Sequence, residues 1–299
     1  MASLVTNERV RFDNGAGDVL VGDLYRPSTL GVGVPALVVT GSWITVKEQM
    51  AGLYARRLAA EGFAALAFDF TGYGQSAGAP RDVEDPTRKA SDIHAAVGFA
   101  QTVDGVDPER LGVLAVCASS GYAAANAAVD GRVKSLGMVA PWLHDSERVK
   151  PYYGGDEGVA ARIAAGEAAR RRYETDGTVI YIPAVSETDP NAAMFGPFGY
   201  YLDDDRGAIP EWGARFAVMA WPGWLTYNPI PLAERIAQPV RMVHSHDGAV
   251  PDGAEAFAER LAGPSELIWI EGSQLDFYDQ PAQVDFAVAQ MIDHFRSTL

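Results

Sequence analysis

Hydrophobic and polar positions fall into three regimes along this chain. Near the start they alternate. Glu8 to Asp13 and Asp18 to Tyr25 read as two strands with one face buried, and Asn14-Gly15 between them is hairpin punctuation. From Pro35 the apolar residues run together: Pro35 to Thr40, Phe63 to Phe68, Arg110 to Val116 and Val133 to Val139 have the length and composition of strands covered on both faces. Between them Gln49 to Glu61 (stopped by Gly62), Asp92 to Gln101 and Gly121 to Ala128 predict helices. Strand and helix alternating in this way require right-handed crossovers and a mostly parallel sheet with helices on both faces, an α/β fold.

The alternation stops after Pro141. It resumes with a strand from Val240 to His244, a helix from Gly253 to Leu261, a strand from Glu266 to Ile270 and a helix from Pro281 to Phe295. The pattern predicts a core made of residues 1–141 and 239–299, with a lid insertion, 142–238, between two core strands. The insertion opens on an Ala- and Arg-rich helix, Val159 to Tyr173, and then turns aromatic through Tyr181, Phe195, Phe198, Tyr200, Tyr201, Trp212, Phe216, Trp221, Trp224 and Tyr227. Such rings either roof an apolar pocket or form the lid's own core. There is no internal repeat and no low-complexity tract.

The 299 residues suffice for one large core, and 48% hydrophobic content excludes wholesale disorder. A net charge of -15 repels nucleic acid and anionic lipid, so neither is expected as a partner. Arg170-Arg171-Arg172 reads as a solvated helix face. Asp203-Asp204-Asp205 reads as an exposed turn, because adjacent carboxylates diverge. No run of about 18 apolar residues is present to span a bilayer, and the segment Met1 to Arg9 lacks the apolar stretch of a signal peptide. The cytoplasm is the expected compartment. One cysteine excludes an internal disulfide and a Cys-based metal cluster. Neither metal nor cofactor is expected, the expected partner is a small apolar molecule, and a homodimer is left open.

In an open parallel sheet, ligands bind beyond the carboxyl ends of the strands, so residues just past each strand carry the chemistry. After the strand ending at Val116 come Cys117, Ala118, Ser119, Ser120 and Gly121, then a helix. A sharp strand-to-helix turn needs small residues around its tip, which Ala115 and Ser119 supply, and Cys117 occupies the tip. A thiol at a helix N-terminus is expected to ionise more readily and to attack carbonyls; the alternative is a small buried cysteine in a tight turn. Ser119 is the rival nucleophile, its other reading being a hydroxyl bound to the turn. The loop Thr40-Gly41-Ser42-Trp43-Ile44 is placed to offer an oxyanion amide from Trp43 or Ile44, beside that of Ala118.

Asp69-Phe70-Thr71-Gly72-Tyr73-Gly74-Gln75-Ser76 after one strand, the Cys117 turn after the next, and Asp247-Gly248-Ala249-Val250-Pro251 after a later one resemble the α/β-hydrolase superfamily over almost the whole chain. The segments Val46-Lys47-Glu48-Gln49, Cys117-Ala118-Ser119-Ser120-Gly121-Tyr122, Ala192-Ala193-Met194-Phe195-Gly196-Pro197-Phe198 and Asp276-Phe277-Tyr278-Asp279 more narrowly resemble a YcjY-like group that includes fungal polyketide transferases and thiohydrolases. Cysteine at the nucleophile position is also similar to dienelactone hydrolases. The resemblance implies acyl transfer, with a thiolate attacking an ester, thioester or lactone carbonyl.

The same resemblance places the triad acid at Asp247 and the base in the loop beginning at Gly272. There Gln274 stands where a histidine is expected, and glutamine cannot shuttle a proton near neutral pH. His144, at the lid hinge, is the candidate substitute, its other reading being a surface or hinge histidine beside Asp145. His246 is on the wrong loop for a base, and His244, His94 and His294 read as structural. Three functions follow: a Cys117-dependent acyl-transfer enzyme on an apolar, polyketide-like substrate; a non-hydrolytic enzyme (cyclisation, elimination or carbon–carbon cleavage) on the same fold; or a silent binding protein.

Overall fold

The computed structural model describes residues 5–28 and 31–299; Met1 to Leu4, the start of the N-terminal segment read above, lie outside the described residues. The strands are β1 (Val5–Asp13), β2 (Val19–Pro27), β3 (Val34–Thr40), β4 (Ala64–Asp69), β5 (Val106–Val116), β6 (Val133–Val139), β7 (Tyr181–Pro183), β8 (Val185–Ser186), β9 (Met194–Phe195), β10 (Arg215–Ala217), β11 (Val240–His244) and β12 (Ser265–Trp269). Eight form one sheet in the order β1-β2-β4-β3-β5-β6-β11-β12. β1 and β2 pair antiparallel, β2 meets β4 antiparallel, and from β4 to β12 all strands are parallel. Leu37, Val39, Val113 to Val116 and Val139 have no exposed surface, as the continuous apolar runs require.

The helices are α1 (Met50–Ala60), α2 (Pro86–Ala100), α3 (Ser119–Ala127), α4 (Gly155–Asp176), α5 (Gly199–Leu202), α6 (Trp221–Leu225), α7 (Pro251–Ala258), α8 (Asp276–Asp279) and α9 (Pro281–Thr298). α1 packs beside α9 and α2 beside α3, and the two pairs cover the sheet. α2 begins six residues before its expected start. The Asp85 carboxylate accepts from the N–H groups of Thr87 (3.0 Å) and Arg88 (3.1 Å), and Pro86 opens the first turn. α1 begins one residue late because Gln49 is used otherwise: its Oε1 accepts from Val46 N–H (2.9 Å) and its Nε2 donates to Gly207 O (2.7 Å). That second bond ties the core to the segment between β6 and β11.

The segment between β6 and β11 consists of α4, two ribbons (β7 with β10 antiparallel, β8 with β9 parallel) and the short helices α5 and α6. α4 buries only Gly166 and Ala169. Gly166 is required by close approach, since a Cβ there would lie 2.4 Å from Pro222 Cδ. Aromatic stacking and ion pairs hold the segment to the core. Trp43 sits 5.0 Å from Phe216 and 5.4 Å from Trp224 between ring centroids, Trp212 Nε1 donates to Ile44 O (2.8 Å), and Arg215 and Arg206 pair with Asp82 and Asp279 at 2.7 and 2.6 Å. No helix among the described residues is long and apolar enough to cross a membrane.

Candidate active site

The register brings the strand ends level: Thr40 faces Ala115, Val116 faces Val139, Val139 faces Val243, and His244 faces Trp269. Loops from five strands therefore converge at one edge. At its centre is Cys117, in the left-handed region at φ 60. For a residue with a side chain that conformation costs on the order of 1–3 kcal/mol and persists only where the surroundings enforce it. Here Cys117 N–H donates to Val139 O (3.0 Å), and Cys117 O accepts from Trp142 N–H (3.0 Å) and Ser120 N–H (3.1 Å). The turn is clamped at both peptide groups.

The Cys117 side chain lines a cavity of about 410 Å³. Core loops supply Ser42, Trp43, Ala249, Gln274 and Tyr278; the segment between β6 and β11 supplies Tyr152, Tyr153, Met194, Phe198, Tyr201 and Trp224 among others. The thiol has hydrogen-bonding neighbours in the Ser42 and Tyr278 hydroxyls, the Ala118 N–H and the Gln274 carboxamide. The hydroxyls are linked in turn: Tyr278 and Ser42 are 3.0 Å apart, and Tyr201 donates to Ser42 at 3.1 Å. Burial nonetheless prevails and pushes the thiol above its ordinary 9.0, with those neighbours offsetting part of the shift. The expectation of a readily ionised thiol is corrected: the walls cost the thiolate more than one amide and three polar neighbours return. Burial likewise raises Tyr278 and Tyr201 well above the usual phenol value, so both stay protonated.

Gln274 is held at both ends. Its Oε1 accepts from Ala249 N–H (2.9 Å), and its Nε2 donates to Ala140 O (2.8 Å) and lies 3.5 Å from the Tyr278 hydroxyl. The group reaching residue 274 from the loop after β11 is thus the Ala249 main chain. Asp247, expected to supply a triad acid, is exposed, does not line the cavity, and its carboxylate has no polar partner among the described residues. Its loop turns it to solvent.

Of the remaining candidates, the Ile44 amide is corrected, Ser119 takes the turn-bonded reading, and His144 does not supply a base. Ile44 N–H cannot serve an oxyanion, because at φ 55 it donates to Glu84 Oε2 (2.9 Å). Glu84 is fully buried, pairs with Lys89 at 2.8 Å and accepts from Tyr122 (2.6 Å). Trp43 and Ala118 remain at the cavity's edge, and the Trp43 main-chain N–H has no acceptor among the described residues. Ser119 is no rival nucleophile: its hydroxyl donates to Val116 O (3.1 Å) and accepts from Val116 N–H (3.1 Å) and Thr40 (2.9 Å), away from the cavity. His144 is fully buried and lowered by desolvation to about 4; its Nδ1 accepts from Trp142 Nε1 (2.9 Å) and its Nε2 bonds Trp224 O (2.9 Å), so no ring nitrogen is free for catalysis.

Other residues at the site carried no assigned role in the sequence. Tyr278 and Tyr201 appeared only inside a resembling segment and an aromatic list. Ser42 appeared only as a loop residue. Arg162, the one charged side chain on the cavity wall among the described residues, lies in a helix whose spacing carries no inward signal.

Residues 36–285 match the model of the Alpha/beta hydrolase family, and the chain belongs to that family. Protein PA2218 of Pseudomonas aeruginosa is 31% identical over 96% of this chain and 80% of its own; its crystal structure superposes with a TM-score of 0.87 over 99% of this chain and 94% of that one. YcjY of Escherichia coli is 29% identical over 88% of this chain and 89% of its own length. The thiohydrolase aneE of Aspergillus aculeatus is 34% identical over 89% and 85%. The resemblance read in the sequence holds, and the chain is an α/β-hydrolase-fold enzyme of hydrolase or acyltransferase type.

Proposed function

We propose that this enzyme moves an acyl group through Cys117, taking it from a thioester, ester or lactone of an apolar, polyketide-like substrate. The observation that carries the reading is the place of the thiol, at a clamped left-handed turn opening into a largely apolar cavity, with neutral hydrogen-bond donors gathered around it. The name of the thiohydrolase relative supports a thioester as one substrate class.

The thiol sulfur adds to the substrate carbonyl carbon. The resulting oxyanion takes hydrogen bonds from the Ala118 and Trp43 N–H groups, as an anion at the end of a strand-to-helix turn does. Collapse breaks the bond to the leaving thiol or alcohol, which departs with the proton given up by Cys117, relayed by the Ser42 hydroxyl. Tyr278 stays protonated and donates. The cavity walls hold neither imidazole nor carboxylate among the described residues, so nothing there deprotonates water. The acyl-enzyme therefore favours transfer to an amine, which attacks as the neutral base, or to a thiol, which supplies its own thiolate, over hydrolysis. Gln274 serves as a fixed donor in place of a base, and the usual triad is degenerate.

The raised thiol favours one second reading: a non-hydrolytic reaction in which the same donors hold a ketone or enolate and sulfur never bonds to substrate. Mass spectrometry of the protein after exposure to an acyl thioester separates the two. Acyl transfer requires the added mass on the Cys117 peptide and none in Cys117→Ala. Product formation at an undiminished rate in Cys117→Ala would establish the second reading and overturn the first.

A further inference from the structure

Among the described side chains walling the cavity, one alone carries charge: Arg162, from α4. Its Nη1 donates to Tyr153 O (3.0 Å) and Gly158 O (3.2 Å), and its guanidinium lies 5.6 and 5.5 Å from the Tyr153 and Trp221 ring centroids. The fork is held, yet no described carboxylate pairs with it, and its Nε and Nη2 find no acceptor among the described residues. A shortage of acids does not explain this, since the chain has 39 Asp and Glu against 24 Lys and Arg. The two fully buried lysines are matched, Lys47 with Asp69 and Lys89 with Glu84, each at 2.8 Å, whereas Arg162, half-buried on the cavity wall, is not. Beside the fork, the Tyr153 hydroxyl accepts from Trp224 Nε1 (2.8 Å), which leaves its own proton without a described acceptor.

We propose that Arg162, with the Tyr153 hydroxyl, binds an anionic group of the substrate, a carboxylate or a phosphate, in the cavity where Cys117 meets the carbonyl. A guanidinium presents paired N–H donors matched to the oxygens of such a group, and it is strongest where water is scarce. The outer surface repels anions, so this cation acts by selecting among ligands that have entered. The inference deepens the acyl-transfer reading by naming its substrate class.

Its test uses equilibrium binding, which needs no chemistry. Hexanoyl-pantetheine, adipoyl-pantetheine (one free carboxylate) and hexanoyl-phosphopantetheine are titrated calorimetrically into the Cys117→Ala protein, with and without Arg162→Met or Arg162→Lys. One or both anionic ligands are expected to bind about 10- to 100-fold more tightly than the neutral one, the worth of a charge-assisted hydrogen bond. The ligand that shows the preference tells whether the anion belongs to the acyl chain or to the carrier. Arg162→Met should bring the ratio to about one, and Arg162→Lys should keep part of it. In the protein retaining Arg162, rising salt should shrink the ratio, as it does for an ion pair. Equal binding of all three ligands, or a preference that survives Arg162→Met, overturns the proposal. Failure to find acyl-Cys117 overturns the acyl-transfer reading and leaves this result standing.

Discussion

Replacing Gln274 with histidine puts an imidazole where the loop after β12 now presents a carboxamide, and its effects on stability and rate can be worked separately. The carboxamide satisfies Ala249 N–H through Oε1 (2.9 Å) and Ala140 O through Nε2 (2.8 Å). An imidazole offers one donor and one acceptor in a different geometry and turns one of them toward the thiol. At least one main-chain group then loses its partner, at a cost of about 1–3 kcal/mol. The rate moves the other way. A positioned base contributes about 10²–10⁴-fold, and the lower end is expected because exposed Asp247 does not reach the site to orient the ring. A hundredfold gain in hydrolysis corresponds to about 2.7 kcal/mol off the barrier.

The pH profile makes the test specific. In the unaltered site burial holds the thiol above its ordinary 9.0, and the phenols around it, Tyr278, Tyr201 and Tyr153, are raised by burial and stay protonated. Only the thiolate attacks unaided, so acylation should keep rising with pH to and beyond 9.0. The imidazole should take the thiol proton and carry that limb toward neutrality. Nitrophenyl ester turnover between about pH 6 and about pH 10, with mass spectrometry of the acyl-enzyme, reads both effects. Turnover in Gln274→His no faster than in the parent protein, with the rising limb unmoved, would refute the claim that the missing proton acceptor is what disarms hydrolysis here.

Ser119→Ala should lower the melting temperature, because the hydroxyl serves Val116 at both main-chain groups and Thr40 besides; the buried groups left over are worth about 1–3 kcal/mol. Acyl mass should still appear on Cys117 in that variant, and its loss from a folded protein would restore Ser119 as a rival. Glu84→Gln should destabilise the fold by about 3–5 kcal/mol by stranding Lys89, which is 1% exposed and already lowered by burial. Lys89 then sheds its proton more readily in the folded state than in the unfolded one, so the variant should regain stability as pH rises; denaturant melts at two pH values check the sign.

The sheet was legible because both of its faces are covered, which forces unbroken apolar runs such as Leu37 to Val39 and Val113 to Val116. The sharp turn was legible because crowding dictates small residues at 115 and 119, a purely local requirement. The departures at Ile44 and His144 have the opposite property, since each depends on a partner distant in sequence. Ile44 gives its N–H to Glu84, forty residues on, and His144 is held through Trp224, eighty residues on. Arg162 faces the cavity from α4, which buries only Gly166 and Ala169 and so shows no apolar stripe to reveal a working face. The thiol shows how the two kinds of information combine. Its placement at a helix start argues for easier ionisation, and the Ala118 N–H does act in that sense. The aromatic segment lies elsewhere in the chain, and by closing the cavity around Cys117 it makes burial the larger force. A local motif thus placed the sulfur, while its reactivity is set by residues that the motif does not contain.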